Sequence, residues 1–187
     1  GAEKRAEEIG GEAYQALRDK QLLDRAVVAI RNVVDGYGDR YVIPTRRLLD
    51  DLAADFGHTA AGESLKSARD HSRRMVEQGQ AAECKYVEAS RRETAIRFVI
   101  DAFNGRVDGI LSRTRHDNFG TLEQEIRDAC SLVNLNGNAF RDARILPAYL
   151  DARLAELKWA VVAQELRLKE REEQRRIKEQ IREEEKA

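Results

Sequence analysis

The stretch "IDAFNGRVDGILS", Ile100 to Ser112, decides the fold. Its large apolar residues recur at three- and four-residue steps, which is the period of a helix and not of a strand. Extended toward the N-terminus, one helical wheel gathers Ile96, Val99, Ile100, Phe103, Val107, Ile110 and Leu111 on a broad face. A face that wide must be buried, so other helices have to cover it. Arg97, Asp101, Asn104 and Asp108 follow at steps of four, three and four on the opposite side. Gly105 and Gly109 interrupt the pattern, each costing about 1 kcal/mol relative to alanine in a helix interior. Being one helical turn apart, they open a groove that another backbone can approach.

Punctuation around this helix supplies its neighbours. The chain has only two prolines, Pro44 and Pro147, and each stands where a helix can begin, because the missing N–H has no partner at a first helical position. Ser90–Glu93 and Thr121–Gln124 have capping-box spacing. Gly57, Gly79, Gly120 and Gly137 read as stops. Together these signals predict about six helices, near 3–34, 45–56, 59–78, 91–116, 122–135 and 147–187. Two short extended segments, Arg40–Ile43 and Lys85–Val87, are candidates for a small two-stranded patch. The expected fold is therefore all-α, with Phe103, Val107, Ile110, Ile126, Val133, Leu154, Leu157 and Val161 in a core built by the fourth to sixth helices. Ile9, Ala13, Leu17, Val27, Ile30 and Val34 predict an amphipathic first helix packed beside the N-terminal part of the sixth.

The sixth helix changes character along its length. Tyr149, Leu150, Leu154, Leu157, Val161 and Leu168 keep an apolar stripe, whereas from Arg167 onward 15 of 21 residues are charged. The second half cannot bury a face. It reads as a charged helical stalk, which divides the chain into a helical domain, 1–168, and a linker, 169–187, toward a C-terminal domain outside this chain. The absence of an initiator Met and a leading Gly1-Ala2 that looks like a cloning scar read as a piece of something longer.

Composition excludes several functions. Of 187 residues, 42% are apolar and 36% charged, yet the formal net charge is only -1. No global basic field points to nucleic acid. A local basic patch of Arg91, Arg92, Arg113 and Arg115, with Arg73 and Arg74 beside it, is the remaining candidate. Cys84 and Cys130 are single cysteines with no histidine at ligand spacing, and His58, His71 and His116 are scattered, so no metal site is expected. No apolar run is long enough to span a membrane, and there is no signal peptide. Phosphate loops, nucleophile elbows and HExxH motifs are absent. Asp101 and Asp108 lie about 10 Å apart along the helix axis, a separation that suits a water-activating pair. No aromatic platform or further ligand supports that chemistry. No catalytic, cofactor-binding or metal residue is assigned. Arg97, Asp101, Asn104 and Asp108 are instead the candidate interaction surface.

The ordered set "YGDRYVIP", "RRETAIRFVIDAFNG", "ILSR" and "EEQRRIKEQIREEEKA" resembles a bacterial and phage domain of unknown function that precedes a GIY-YIG nuclease domain. The resemblance covers nearly the whole chain. It implies a non-catalytic sensing, partner-binding and positioning module of an anti-phage nuclease, with no cofactor. The implied partners are the C-terminal nuclease domain of the same parent chain and a phage or membrane-associated protein. The implied location is cytoplasmic, with the parent tethered to the inner face of the membrane by an N-terminal segment absent here. Neither a "GIY" nor a "YIG" tripeptide occurs in the chain, so the nuclease's catalytic residues have no counterpart to assign. Two alternatives stay open: a nucleic-acid-binding helical domain that feeds substrate to the nuclease, and an oligomerisation scaffold driven by the terminal helices.

Overall fold

A computed structural model of the chain describes residues 2–35 and 59–186. Among them are five α-helices and one small antiparallel sheet. In chain order these are α1 (Ala2–Asp35), α2 (Ala60–Glu77), β1 (Ala82–Glu83), α3 (Ala89–Leu111), α4 (Phe119–Gly137), a 3-10 turn (Asn138–Phe140), β2 (Arg144–Ile145) and α5 (Pro147–Lys186). The all-α expectation holds, and the long C-terminal helix is present. The expected helix at 45–56 and the extended candidate Arg40–Ile43 lie outside the described residues.

The helix ends follow local chemistry, not always the chemistry expected. Pro147 opens α5, and Gly79, with φ +70, closes the chain behind α2. At the start of α2 the Thr59 hydroxyl accepts from the Gly62 N–H at 3.1 Å, which fills one of the unpaired donors of the first turn. Neither capping box forms. α3 and α4 begin earlier, after Glu88 and Asn118, so Ser90, Thr121 and Gly120 already lie in first turns. The Asn118 side chain ties the preceding loop, accepting from the Arg115 N–H and donating to the Arg113 carbonyl, both at 2.8 Å. α3 ends before 116 because side chains take its last carbonyls: the Ser112 hydroxyl donates to Gly109 at 2.7 Å and the Thr114 hydroxyl to Leu111 at 2.6 Å.

The sheet pairs Ala82 with Ile145 and Glu83 with Arg144. Its strand lies just before the expected Lys85–Val87, where the Tyr86 and Val87 carbonyls are otherwise engaged. Arg92 donates to those of Tyr86 and Val87 at 3.1 Å each. The far edge of β2 is closed by one side chain: Asn134 accepts from the Ile145 N–H at 2.8 Å and donates to the Ile145 carbonyl at 3.5 Å.

α3 and α5 both pack on α4, and α2 packs along α5. Phe103, Val107, Ile110, Ile126, Val133, Leu154 and Leu157 are buried as expected, whereas Val161 is only half-buried at the rim. α1 departs from expectation: it packs on α4 and not beside α5. Ala26 and Ala29 face inward, while Ile9, Leu17, Val27 and Ile30 stay exposed. Small side chains let two helix backbones approach, so alanines and not the larger residues take the contact. Val34 lies outside the described side chains.

Two glycines show opposite needs. Gly137 has an ordinary helical φ of -64, but a Cβ there would lie 1.8 Å from the Ala143 carbonyl oxygen. At Gly105 a Cβ would meet nothing within 4 Å. Gly137→Ala is expected to cost at least ~2 kcal/mol, because backbone must move to admit it. Gly105→Ala is expected to gain ~0.5–1 kcal/mol from helix propensity. Urea denaturation of both variants checks the pair; equal midpoints would show that the Asn138–Ala143 turn yields freely.

Candidate functional site

Tyr149, Arg153 and Glu156 stand at steps of four and three along the first half of α5, so they share one face. Asp101, Asn104 and Asp108 do the same on α3. The two ladders meet, and α2 adds Arg69. The Tyr149 hydroxyl donates to the Asn104 side-chain oxygen at 2.8 Å. Arg153 donates through Nη2 to Asp108, and through Nη1 to Glu156 at 3.1 Å. Glu156 also accepts from Arg69 at 2.9 Å. Glu156 is 0% exposed and Arg153 7%, so two guanidiniums and two carboxylates are knit together largely out of water.

Burial shapes this network's electrostatics. Desolvation alone would make Arg153 a weaker base, yet Glu156 and Asp108 outweigh it and raise its pKa. Arg153 stays charged throughout the working range of any protein. Burial is also the main reason the Tyr149 hydroxyl is held above its ordinary pKa; it is a hydrogen-bond donor here and not a phenolate. One atom is left over: the Arg153 Nε is buried with no hydrogen-bond partner. A buried donor left unmet costs about 1–3 kcal/mol.

The network forms the wall of a cleft of about 870 Å³ between α2, α3 and α5. Val76, Ile100 and the Tyr149 ring give it an apolar side, and Gly105 leaves room beside Asn104. Glu77 and Asp101 stand at its exposed rim, and no described residue pairs with either carboxylate. Three of the four residues of the expected interaction surface thus converge on one cleft. Arg97 lies exposed outside its lining. Asp108 is committed to Arg153, while Asp101 faces solvent. Arg69, Tyr149, Arg153 and Glu156 are site residues that the sequence reading missed. Tyr149 reads as part of the apolar stripe, and the available signal was two opposite charges, Arg153 and Glu156, set among the buried positions Leu154 and Leu157.

The candidate basic patch is not gathered. Arg91 and Arg92 stand at the start of α3 and Arg113 and Arg115 beyond its end, some ~35 Å away by helical rise. Each is engaged: Arg91 with Glu88 at 3.1 Å, Arg92 with the two carbonyls above, and Arg115 with Asp117 at 3.5 Å. Arg113 forms a two-pronged pair with Glu125, which is only 6% exposed. Arg73 is paired with Asp70 at 2.9 Å.

The cysteines offer no nucleophile geometry. Burial raises the Cys130 thiol to about 11, and the Cys84 thiol donates to the Phe140 carbonyl at 3.3 Å. Among the described residues, no group of three or more His, Cys, Asp or Glu is placed to hold a metal ion, and no helix is long and apolar enough to cross a membrane.

No curated protein and no solved structure matches the chain. A family model does: the SNIPE associated domain matches residues 58–168. The match contains α2, α3, α4 and the half of α5 that lines the cleft, and the family is associated with GIY-YIG nucleases. Covering well over half of the sequence, it places this chain in the SNIPE-associated domain family.

Proposed function

We propose that the chain is a non-catalytic module that senses a partner through the α2–α3–α5 cleft and positions a GIY-YIG nuclease domain of the same parent. One observation carries this reading. α5 lines the cleft with Tyr149, Arg153 and Glu156 and then continues unbroken to Lys186, exposed from Leu168 onward. A partner seated in the cleft and whatever α5 bears are joined by a single helix of 40 residues. Local support along the exposed half comes from pairs such as Glu165–Lys169 at 2.9 Å and Glu173–Arg176 at 2.7 Å. Each is worth only a few tenths of a kcal/mol, but the helix formers around them are continuous.

The parent would act in anti-phage defence, on the cytoplasmic side of a membrane that an N-terminal segment anchors it to, and a phage or membrane-associated protein would occupy the cleft. The nucleic-acid alternative loses support because Arg91, Arg92, Arg113 and Arg115 give no continuous phosphate track. The scaffold alternative has only Leu168, Ile177 and Ile181 as large apolar residues in the exposed half of α5, too sparse a seam for a coiled coil.

Two measurements test the reading. The 187-residue chain, incubated with DNA and Mg²⁺ or Mn²⁺, is expected to cleave nothing. In the parent nuclease, Gly105→Trp fills the cleft from an open position and is expected to abolish phage protection while hydrolysis of naked DNA persists. Cleavage by the chain that a substitution within it abolishes would overturn the non-catalytic reading. Full protection by the Gly105→Trp parent would overturn the cleft's role.

A further inference from the structure

α1 has two apolar faces, and only one is covered. Ala26 and Ala29 are buried where it packs on α4, with Leu22 half-buried beside them. The second face lies about 120° round the helix. On it Ile9, Ala13, Ala16, Lys20, Leu23, Val27 and Ile30 follow one another at alternating steps of four and three. That is the heptad spacing of a coiled-coil seam, kept over about three repeats. All seven side chains are exposed, Ile9 by 64%, Leu23 by 53%, Val27 by 47% and Ile30 by 49%. The N-terminal half of the helix raises the same demand independently. Every side chain from Ile9 to Gln21 is exposed, and a Cβ added at Gly10 or Gly11 would meet nothing within 4 Å. Adjacent glycines weaken a helix, and a helix with no face to pack against is marginal in water. A neighbour laid along this stretch supplies the cover.

We propose that α1 pairs along this seam with α1 of a second copy of the chain, the two helices running antiparallel. Size and charge select both the occupant and its direction. Antiparallel, Ala13 meets Ile30 of the second copy and Ala16 meets its Val27, small against large, so the layers fill. Lys20 meets Leu23 of the second copy and stands beside its Asp24, and the two-fold axis makes each contact twice. Parallel pairing would set Lys20 against Lys20 within the seam and Asp19 against Asp24 at its edge. It would also set Ala13 and Ala16 each against itself, which leaves voids. A seam whose two ends complement each other in size and charge is matched by another copy of itself. The pairing goes beyond the cleft reading and does not rest on it, since no residue of α1 lines the cleft.

The test is sedimentation equilibrium of the 187-residue chain. A monomer–dimer balance is expected with a Kd on the order of 10 µM, as suits a short seam that carries two alanines and a lysine. Val27→Glu is expected to weaken the dimer at least about tenfold, because the pairing would bury a carboxylate from each copy. Val27 is exposed in the single copy, so the fold is not at stake. Ile181→Glu, in the exposed half of α5, is expected to leave the dimer unchanged. Lys20→Glu and Asp24→Lys are each expected to weaken it about three- to tenfold, and the double exchange to restore it, since each contact occurs twice. A chain still monomeric at about ten times that Kd overturns the proposal and leaves the stripe to a different protein. A dimer indifferent to Val27→Glu, or weakened as much by Ile181→Glu, has its interface elsewhere and overturns it too. A dimer tightened by Asp24→Lys overturns the antiparallel pairing, because only parallel helices gain from relieving Asp19.

Discussion

Glu156→Ala is expected to lower stability by about 3–5 kcal/mol, the cost of breaking a buried ion pair from one side. Glu156 is fully buried and accepts from both Arg153 and Arg69. Removing it leaves two guanidiniums facing each other's repulsion. Arg153 keeps Asp108, but Arg69 loses its ion pair with Glu156. Water can enter from the cleft and soften the loss, which is why the lower end of the range is the sharper threshold. A double-mutant cycle isolates the mechanism. Arg153→Met is expected to cost less in the Glu156→Ala background than alone, because one of its two partners is already gone and only Asp108 is left to lose its pair. A single-variant loss below ~1 kcal/mol in urea would show that the network is solvated rather than buried.

Phe103→Ala is expected to cost ~3–5 kcal/mol, through lost burial and the cavity left behind. Phe103 is 0% exposed and meets the Tyr149 ring edge-on, with centroids 6.0 Å apart and planes at 63°. The substitution also reaches the site, since Tyr149 positions Asn104 through its hydroxyl. Phe103→Leu keeps most of the volume and is expected to cost less than half as much. Chemical denaturation separates the two variants, and a Phe103→Ala loss under ~1 kcal/mol would mean that the α3–α5 seam is loosely packed.

Much of this architecture was legible because helix periodicity is a local property. Phe103 and Val107 announce their buried face from their own neighbours, and Pro147 marks a start without reference to anything distant. What failed was whatever another part of the chain decides. Ser90 has the residue spacing of a cap, yet Glu88 takes that position. Lys85–Val87 has strand composition, yet the Arg92 guanidinium claims the Tyr86 and Val87 carbonyls. α1 carries larger apolar residues than Ala26 and Ala29, yet close approach to α4 selects the small ones. Within the site, Asp101, Asn104 and Asp108 were visible as a polar face. Their partners were not, because Arg153 and Glu156 lie 45 to 48 positions further on than Asp108, and only the packing of α5 brings them round. The four-arginine patch shows the converse: residues alike in charge are separated by the length of the helix between them.

The continuity of α5 has a rotational consequence. No glycine or proline occurs between Ala148 and Lys186, so the direction in which the distal end faces is set by the orientation of Arg153 and Glu156 at the cleft. Adding one residue in the exposed half turns everything beyond it by about 100°, while adding seven returns it to within about 20° and only lengthens the reach. The helix therefore carries an angular phase as well as a distance. Insertions of increasing length would make any function that depends on facing rise and fall with the helical period, whereas one that depends on reach alone would change steadily.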